Sequence, residues 1–377
     1  MTTFNASRRG DTSMTILSTG RVMTHGRIPA VRSRGAWRMG LSVALTLLSA
    51  APANAQRLFR TTNPIEVTFT TDLRALVKDR DSTKFKPHGA VFAYKDPAGK
   101  VVEVPVTLQT RGHFRRQAKN CDFPPLSMEF RNKAAENTVL QGNTNLKVAS
   151  SCRPRVADYE QYILQEYALY RLYQRISPLY FRTRLARITY KDSLAKTPDV
   201  TSWGFFIEDD KEVAKEYKTN TEKAKGAFFD QLDQPQLVTT MLYQYMVGNT
   251  DYSVTAQHNI ALLRDSTSTI IKTVAYDFDW SGAVGARYAF PSEKLGLKTI
   301  YDRLYRGPCL TVAQWQPHLT RFVAARPAID SIYTSIAALD PKRVKTSLEW
   351  FSDFYKTLAD PRMFKRELVD RCERDGN

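Results

Sequence analysis

Residues 244–282 read QYMVGNTDYSVTAQHNIALLRDSTSTIIKTVAYDFDWSG. A helix end at Gln244–Val247 runs into a polar loop that carries Asp251, His258 and Asn259. A short apolar strand, IALL, follows, and after a turn a second strand, IIKTVAY, leads directly into Asp277-Phe278-Asp279. Two strands that hold a loop Asp, an Asn and a DxD triplet can set oxygen ligands around a hard cation. Mg²⁺ favours carboxylate and amide oxygens and is usually shared with a substrate phosphate. In an extended chain, residues i and i+2 face the same way, so Asp277 and Asp279 are expected to converge on one cation site. The same residues also fit a blander pattern, in which an Asp caps a turn above a packed His258.

The rest of the chain sets the context. Its 377 residues carry 42% hydrophobic and 11% aromatic side chains, globular values that exclude wholesale disorder. In the first 55 residues, Arg32, Arg34 and Arg38 precede the apolar run GLSVALTLLSAAPA, which ends at Ala53-Asn54-Ala55. A basic segment, a short apolar segment and a small-x-small site predict a secretory leader over 1–55 with cleavage near Ala55. An uncleaved anchor is the alternative. No later segment is long and apolar enough to span a bilayer, so the mature chain is expected to be exported, periplasmic or extracellular. The formal net charge is +17, of which the leader's seven Arg and one Asp account for six. Basic charge favours acidic partners such as phosphates, but Lys and Arg are scattered and no nucleic-acid motif accompanies them. No nucleic-acid partner is expected.

Cys121, Cys152, Cys309 and Cys372 make an even set, which in an exported chain predicts two disulfides. Three pairings are possible, and sequence proximity favours Cys121–Cys152 with Cys309–Cys372. No CxxC or Cys/His spacing points to zinc.

Strand-like alternation occurs at 65–75, 89–94, 101–112, 126–130 and 145–150, predicting a mostly antiparallel sheet over 63–150. DYEQYILQEYALYRLYQRI at 158–176 has helical spacing, with Asp158 as the expected N-cap and Pro178 as the stop. Further strands are expected at 181–190 and 202–209, and an exposed connection with some helix over 210–235. Pro235 opens a helix through Val247, and helices punctuated by Pro308, Pro317, Pro327, Pro341 and Pro361 fill about 298–374. The fold class is α+β and two-lobed, sheet-rich first and helical second. The expected divisions are a leader (1–55), a sheet-rich lobe with one long helix (56–205), a metal-binding lobe (206–310) and a helical extension (311–377).

GNTDYSVTAQHN followed by VAYDFDWSG resembles the signature of the spore-coat protein H (CotH) family of atypical kinases, and more closely its exported bacterial branch. Upstream, TRGHFRR at 110–116, FPPLSMEF, NLKVASSC at 145–152, the helix YILQEYALYRLY and FFIED at 205–209 keep that family's order over roughly residues 65–310. The resemblance implies a two-lobed atypical kinase-like fold that binds ATP with Mg²⁺ or Mn²⁺ and phosphorylates a protein or small hydroxyl acceptor. It implies Asp251 as the catalytic-loop Asp that positions or deprotonates the acceptor. Asn259 and Asp277 are implied as metal ligands, with Asp279 supporting a second ion. Lys147 would meet the nucleotide phosphates, with Glu166, or else Glu160, as its ion-pair partner. The pattern departs from ordinary kinases in lacking GxGxxG, in the eight-residue interval from Asp251 to Asn259, and in Phe-Asp for Phe-Gly at 278–279. Export separates the chain from cytoplasmic ATP, which keeps open an inactive exported binding or envelope protein with the same fold. A metal-dependent phosphatase or phosphodiesterase would use the same acidic cluster with water as nucleophile, but five His, with only His258 near the cluster, count against it.

Overall fold

The computed structural model describes residues 57–373 apart from 82, 85 and 224. The leader expected over 1–55 lies outside the described residues. Three strands come first: β1 (Ile65–Thr71), β2 (His88–Lys95) and β3 (Val101–Thr110), with helix α1 (Leu73–Lys78) between β1 and β2. They are followed by β4 (Leu126–Glu129), α2 (Asn132–Ala135), β5 (Asn145–Ser150), α3 (Ala157–Ile176), β6 (Thr183–Asp192) and β7 (Val200–Glu208). The seven strands close into a barrel in the order β1-β2-β3-β4-β5-β7-β6. Six of the pairings are antiparallel, and β1 meets β6 in parallel from Ile65↔Ala186 to Thr71↔Asp192. The parallel seam follows from arithmetic. With seven strands, alternating direction around the ring brings the last strand back pointing the same way as the first.

The chain's α+β character is therefore present, and the sheet extends beyond the expected 63–150 to take in β6 and β7. Strands β5 to β7 are buried on both faces. Leu146, Val148, Ala186, Ile188 and Phe206 fill the barrel, while Ala149, Leu185, Phe205 and Ile207 face a second core built on α3. Burial on both sides explains why FFI reads as an unbroken apolar run rather than an alternation.

The second core also holds a three-stranded sheet of β8 (Thr219–Glu222), β9 (Ile260–Asp265) and β10 (Ile271–Ala275) in the order β10-β9-β8. Around it lie α4 (Asp210–Glu216), α5 (Gln234–Val247), α6 (Val312–Ser335), α7 (Pro341–Ala359) and α8 (Pro361–Phe364). None of the described helices is long and apolar enough to cross a membrane. Both favoured disulfides are present, Cys121–Cys152 and Cys309–Cys372, and no cysteine is free.

Several local expectations need correction. The strand expected to reach residue 75 stops at Thr71, because Asp72 accepts the Ala75 N–H at 2.9 Å and starts a helix. Val156, not Asp158, caps α3; Asp158 sits in its first turn and pairs with Arg287 and Arg343. The charged connection over 210–235 contains a strand, β8, besides the expected helix. Pro317 and Pro327 lie inside α6 and do not punctuate it. Trp315, Phe322, Ile329 and Ile332 bury one side of that helix, and packing of this extent outweighs propensity. Pro341 and Pro361 open α7 and α8, where a missing N–H is harmless.

Candidate active site

Helix α3 is buried on almost every side, and Glu166 lies in the middle of it at 1% exposure. One turn on, the Tyr170 hydroxyl accepts the Asp277 N–H at 2.8 Å. Strand β10 has already ended at Ala275, and Asp277 adopts φ +61°, a left-handed conformation that a non-glycine residue takes at a cost. Phe278 then drives into the core against Tyr170, Tyr243 and Tyr173, with ring centroids 4.9, 5.4 and 6.1 Å away. With Phe278 pinned inward, carboxylate oxygens of Glu166, Asp277 and Asp279 come within 4.8 Å of one another. Asp277 and Asp279 do converge, but not through an extended strand. The expected i, i+2 alternation is corrected to a left-handed kink around a buried Phe.

Burial is the main force on these acids. It pushes the Glu166 carboxyl well above the ordinary range, and the Asp279 and Asp277 charges push it further, against the pull of Arg115 and Arg111. Asp279 is pushed up to about 7, first by burial and then by Asp277, again opposed by Arg115. The Tyr288 hydroxyl donates to Asp279 Oδ2 at 3.0 Å, Arg115 Nη1 donates to the same oxygen at 3.4 Å, and Arg115 Nη2 donates to the Ser150 carbonyl. Glu166 Oε2 is buried with no hydrogen-bond partner among the described residues. A buried carboxylate oxygen in that position requires a proton or a cation.

The facing loop is built on Gly248, whose φ of +64° ends α5 in a left-handed cap. Asn249 Oδ1 accepts the Asp251 N–H at 3.0 Å. Asn259, also left-handed at φ +53°, uses its side-chain nitrogen on the Asp251 carbonyl at 2.7 Å and on Asp251 Oδ2 at 3.1 Å. His258 Nε2 lies 3.1 Å from Asp251 Oδ1, and that hydrogen bond above all raises the imidazole pKa. Asp251 is thus held from two sides. A cleft of about 470 Å³ joins the two walls, lined among others by Arg111, Glu166, Asp251, Asn259, Asp277 and Asp279. A larger hollow of about 980 Å³ on the barrel flank has none of these carboxylates.

Five of the seven residues singled out in the sequence, Asp251, Asn259, Asp277, Asp279 and Glu166, therefore share one cleft. Lys147 and Glu160 do not join them. Lys147 Nζ pairs with Asp210 and lies 5.0 Å from the centroids of the Phe181 and Tyr276 rings. The expected Lys147–Glu166 ion pair is corrected on this point. Ala149, on the same face of β5, lines the cleft, and Lys147 lies two residues, about 7 Å, back along the strand beside the start of α4. Glu160 is six residues before Glu166, about 240° around the helix, and binds Arg187 at 2.8 Å and the Trp203 N–H at 3.0 Å. It does not partner Lys147 either. Glu166 stands as a third carboxylate of the acidic group.

Sequence pattern does not single out Arg111, Arg115 or Tyr288. Arg111 and Arg115 come from TRGHFRR, a motif visible by eye, but scattered basic residues elsewhere gave no reason to single them out. Compared with known proteins, the chain matches no protein-family model and no curated protein.

Proposed function

We propose that the chain is an exported, two-lobed, kinase-like phosphotransferase that uses a divalent cation, Mg²⁺ or Mn²⁺, to move a phosphoryl group, with ATP as the first donor to test, onto a protein or small hydroxyl acceptor. The observation that carries this reading is the buried trio Glu166, Asp277 and Asp279, with its unpartnered Glu166 Oε2, facing Asp251 across one cleft. The donor set is all carboxylate oxygen and fits a hard cation. Glu166, Asp277 and Asp279 would hold it, and the Asn259 carbonyl oxygen is a further candidate ligand. When bound, the cation supplies charge neutralisation on phosphate oxygens, the main demand of phosphoryl transfer.

Asp251 is the group suited to receive the acceptor's hydroxyl proton. Its carboxylate is aimed by Asn259 and His258, so rotation costs it two contacts. Arg115 holds Asp279 against Tyr288 and keeps the acidic group from spreading. The order of motifs shared with the spore-coat protein H (CotH) kinase-like family supports the same reading, as do the two disulfides for export. The alternative, an exported binding protein that keeps the fold without catalysis, draws on one observation: Lys147 is engaged by Asp210.

The test is incubation of the mature protein with γ-labelled ATP and Mn²⁺ beside Asp251→Ala and Asp277→Ala. Label on protein or acceptor that vanishes in both variants supports phosphotransfer. Mn²⁺ binding with no transfer from any donor supports the binding protein instead. Release of free phosphate alone points to water as the acceptor.

A further inference from the structure

We infer that the cleft's phosphate-binding cation is Arg111, in a subsite for the polyphosphate end of the donor; this rests on the phosphotransferase reading above. Lys147 does not fill that role as placed, since it does not line the cleft and its Nζ turns to Asp210. Arg115 is committed as well, to Asp279 and the Ser150 carbonyl. Arg111 differs from both. It is half-buried, lines the same cleft as Asp251, Glu166 and Asp277, and its guanidinium makes no hydrogen bond or ion pair among the described residues.

The fold builds that position. Arg111 follows the last residue of β3, and its N–H is tied to the Pro125 carbonyl at 2.9 Å. Gly112 then turns the chain at φ +83°, a left-handed value that suits glycine. The side chain is delivered to the cleft while the backbone leaves it. An uncommitted guanidinium beside a carboxylate-held divalent cation offers what a polyphosphate needs. The cation takes oxygens on one side, and a planar fork can grip two oxygens on the other. Without Arg111, four acidic side chains of the cleft, Glu166, Asp251, Asp277 and Asp279, would face a polyanion with little besides the cation to offset them.

The experiment is calorimetric titration of the mature protein, first with Mn²⁺ alone and then, in Mn²⁺, with inorganic tripolyphosphate and with ATP. Wild type, Arg111→Gln, Arg111→Lys and Lys147→Gln are compared. Arg111→Gln is expected to weaken both anions roughly tenfold or more, the range for a charge-assisted contact, and leave Mn²⁺ affinity within about twofold. Arg111→Lys should recover part of the loss, because it keeps the charge without the fork. Lys147→Gln should change anion affinity by less than about twofold, because Lys147 does not line the cleft. An unchanged Arg111→Gln, an equal loss in Lys147→Gln, or a loss confined to ATP overturns the inference. So does wild-type protein that binds Mn²⁺ but neither anion. Wild-type protein that fails to bind Mn²⁺ overturns the metal reading beneath it, a separate and recognisable result.

Discussion

The cationic wall of the cleft, residues 111–116, and the acidic wall, residues 248–282, are each secured by a disulfide-bonded element, but the reach of the two anchors differs. Cys121–Cys152 ties the arginine loop to the end of β5 across 31 residues, a short staple buried in the second core beside the barrel. Cys309–Cys372 spans 63 residues and draws the C-terminal tail back beneath the acidic wall. There Glu373 lies 3.6 Å from Arg306, whose guanidinium donates to the carbonyls of Thr250 and Tyr252 on either side of Asp251. Trp350 of α7 adds a second clamp. Its indole N–H donates to the Met246 carbonyl at 3.0 Å, and its ring covers Gly248 and Gly282, themselves joined by a 3.0 Å backbone bond. One wall is held locally. The other is held by helices far along the chain, so the segment from 311 onward supports the site without lining it.

The largest test of that contrast removes each disulfide in turn. Loop-entropy estimates put either loss at about 4 kcal/mol, with the Cys309→Ser/Cys372→Ser pair costing about 0.6 kcal/mol more than Cys121→Ser/Cys152→Ser for its doubled span. Denaturant melts of the two double variants measure this, and an inverted order would show that the local staple matters more.

Next in size is Gly282→Ala. Its new methyl would meet the Trp350 ring at 2.6 Å and the Ile300 carbonyl at 2.7 Å. A loss of about 2–3 kcal/mol is expected from this overpacking. Gly89→Ala, in the barrel, meets nothing within 4 Å and should leave the melt nearly unchanged.

The acidic wall also predicts a pH dependence. Burial, with the neighbouring Asp277 charge, pushes the Asp279 carboxyl up to about 7 from an ordinary 3.8, so its protonated form is the one the fold prefers. Its contribution to metal-free stability is fully present below about pH 4 and is lost as pH rises through 7. A bound cation replaces the proton. The melting-temperature gain from Mn²⁺ should therefore be larger at pH 8 than at pH 5, and Asp279→Asn should reduce that gain and flatten its pH dependence. A Mn²⁺ gain independent of pH would remove Asp279 from the cation site.

The smallest effect belongs to Lys147→Ala. Asp210 is partly exposed, so their pair is worth less than about 1 kcal/mol. A larger loss would mean that Lys147 supports more than the start of α4.

Much of this arrangement was legible from local pattern. The GNTD loop, the DFD triplet and the apolar helix around Glu166 stand out because each is a polar interruption in an apolar periodicity, and that signal is short-range. The pairing of Lys147 was not legible. Whether a strand lysine meets an acid on α3 or on α4 depends on a shift of two residues along β5, about 7 Å, which no periodicity records. The surroundings of Glu166 are not legible for the same reason. A buried acid demands a partner, but the identity of that partner is a matter of distance across the core.

Local chemistry in the sequence determined the α+β class and the loops that carry Asp251, Asp277 and Asp279, and it favoured the two disulfide pairings by proximity without fixing them. Residue type and spacing act over a few residues, and those features need no more. The tertiary structure alone decided that seven strands close with one parallel seam, that Phe278 anchors a left-handed Asp277, and that Arg111 rather than Lys147 faces the carboxylates. Each of those depends on which surfaces meet when two cores are packed around α3, and packing of that kind joins residues more than a hundred positions apart.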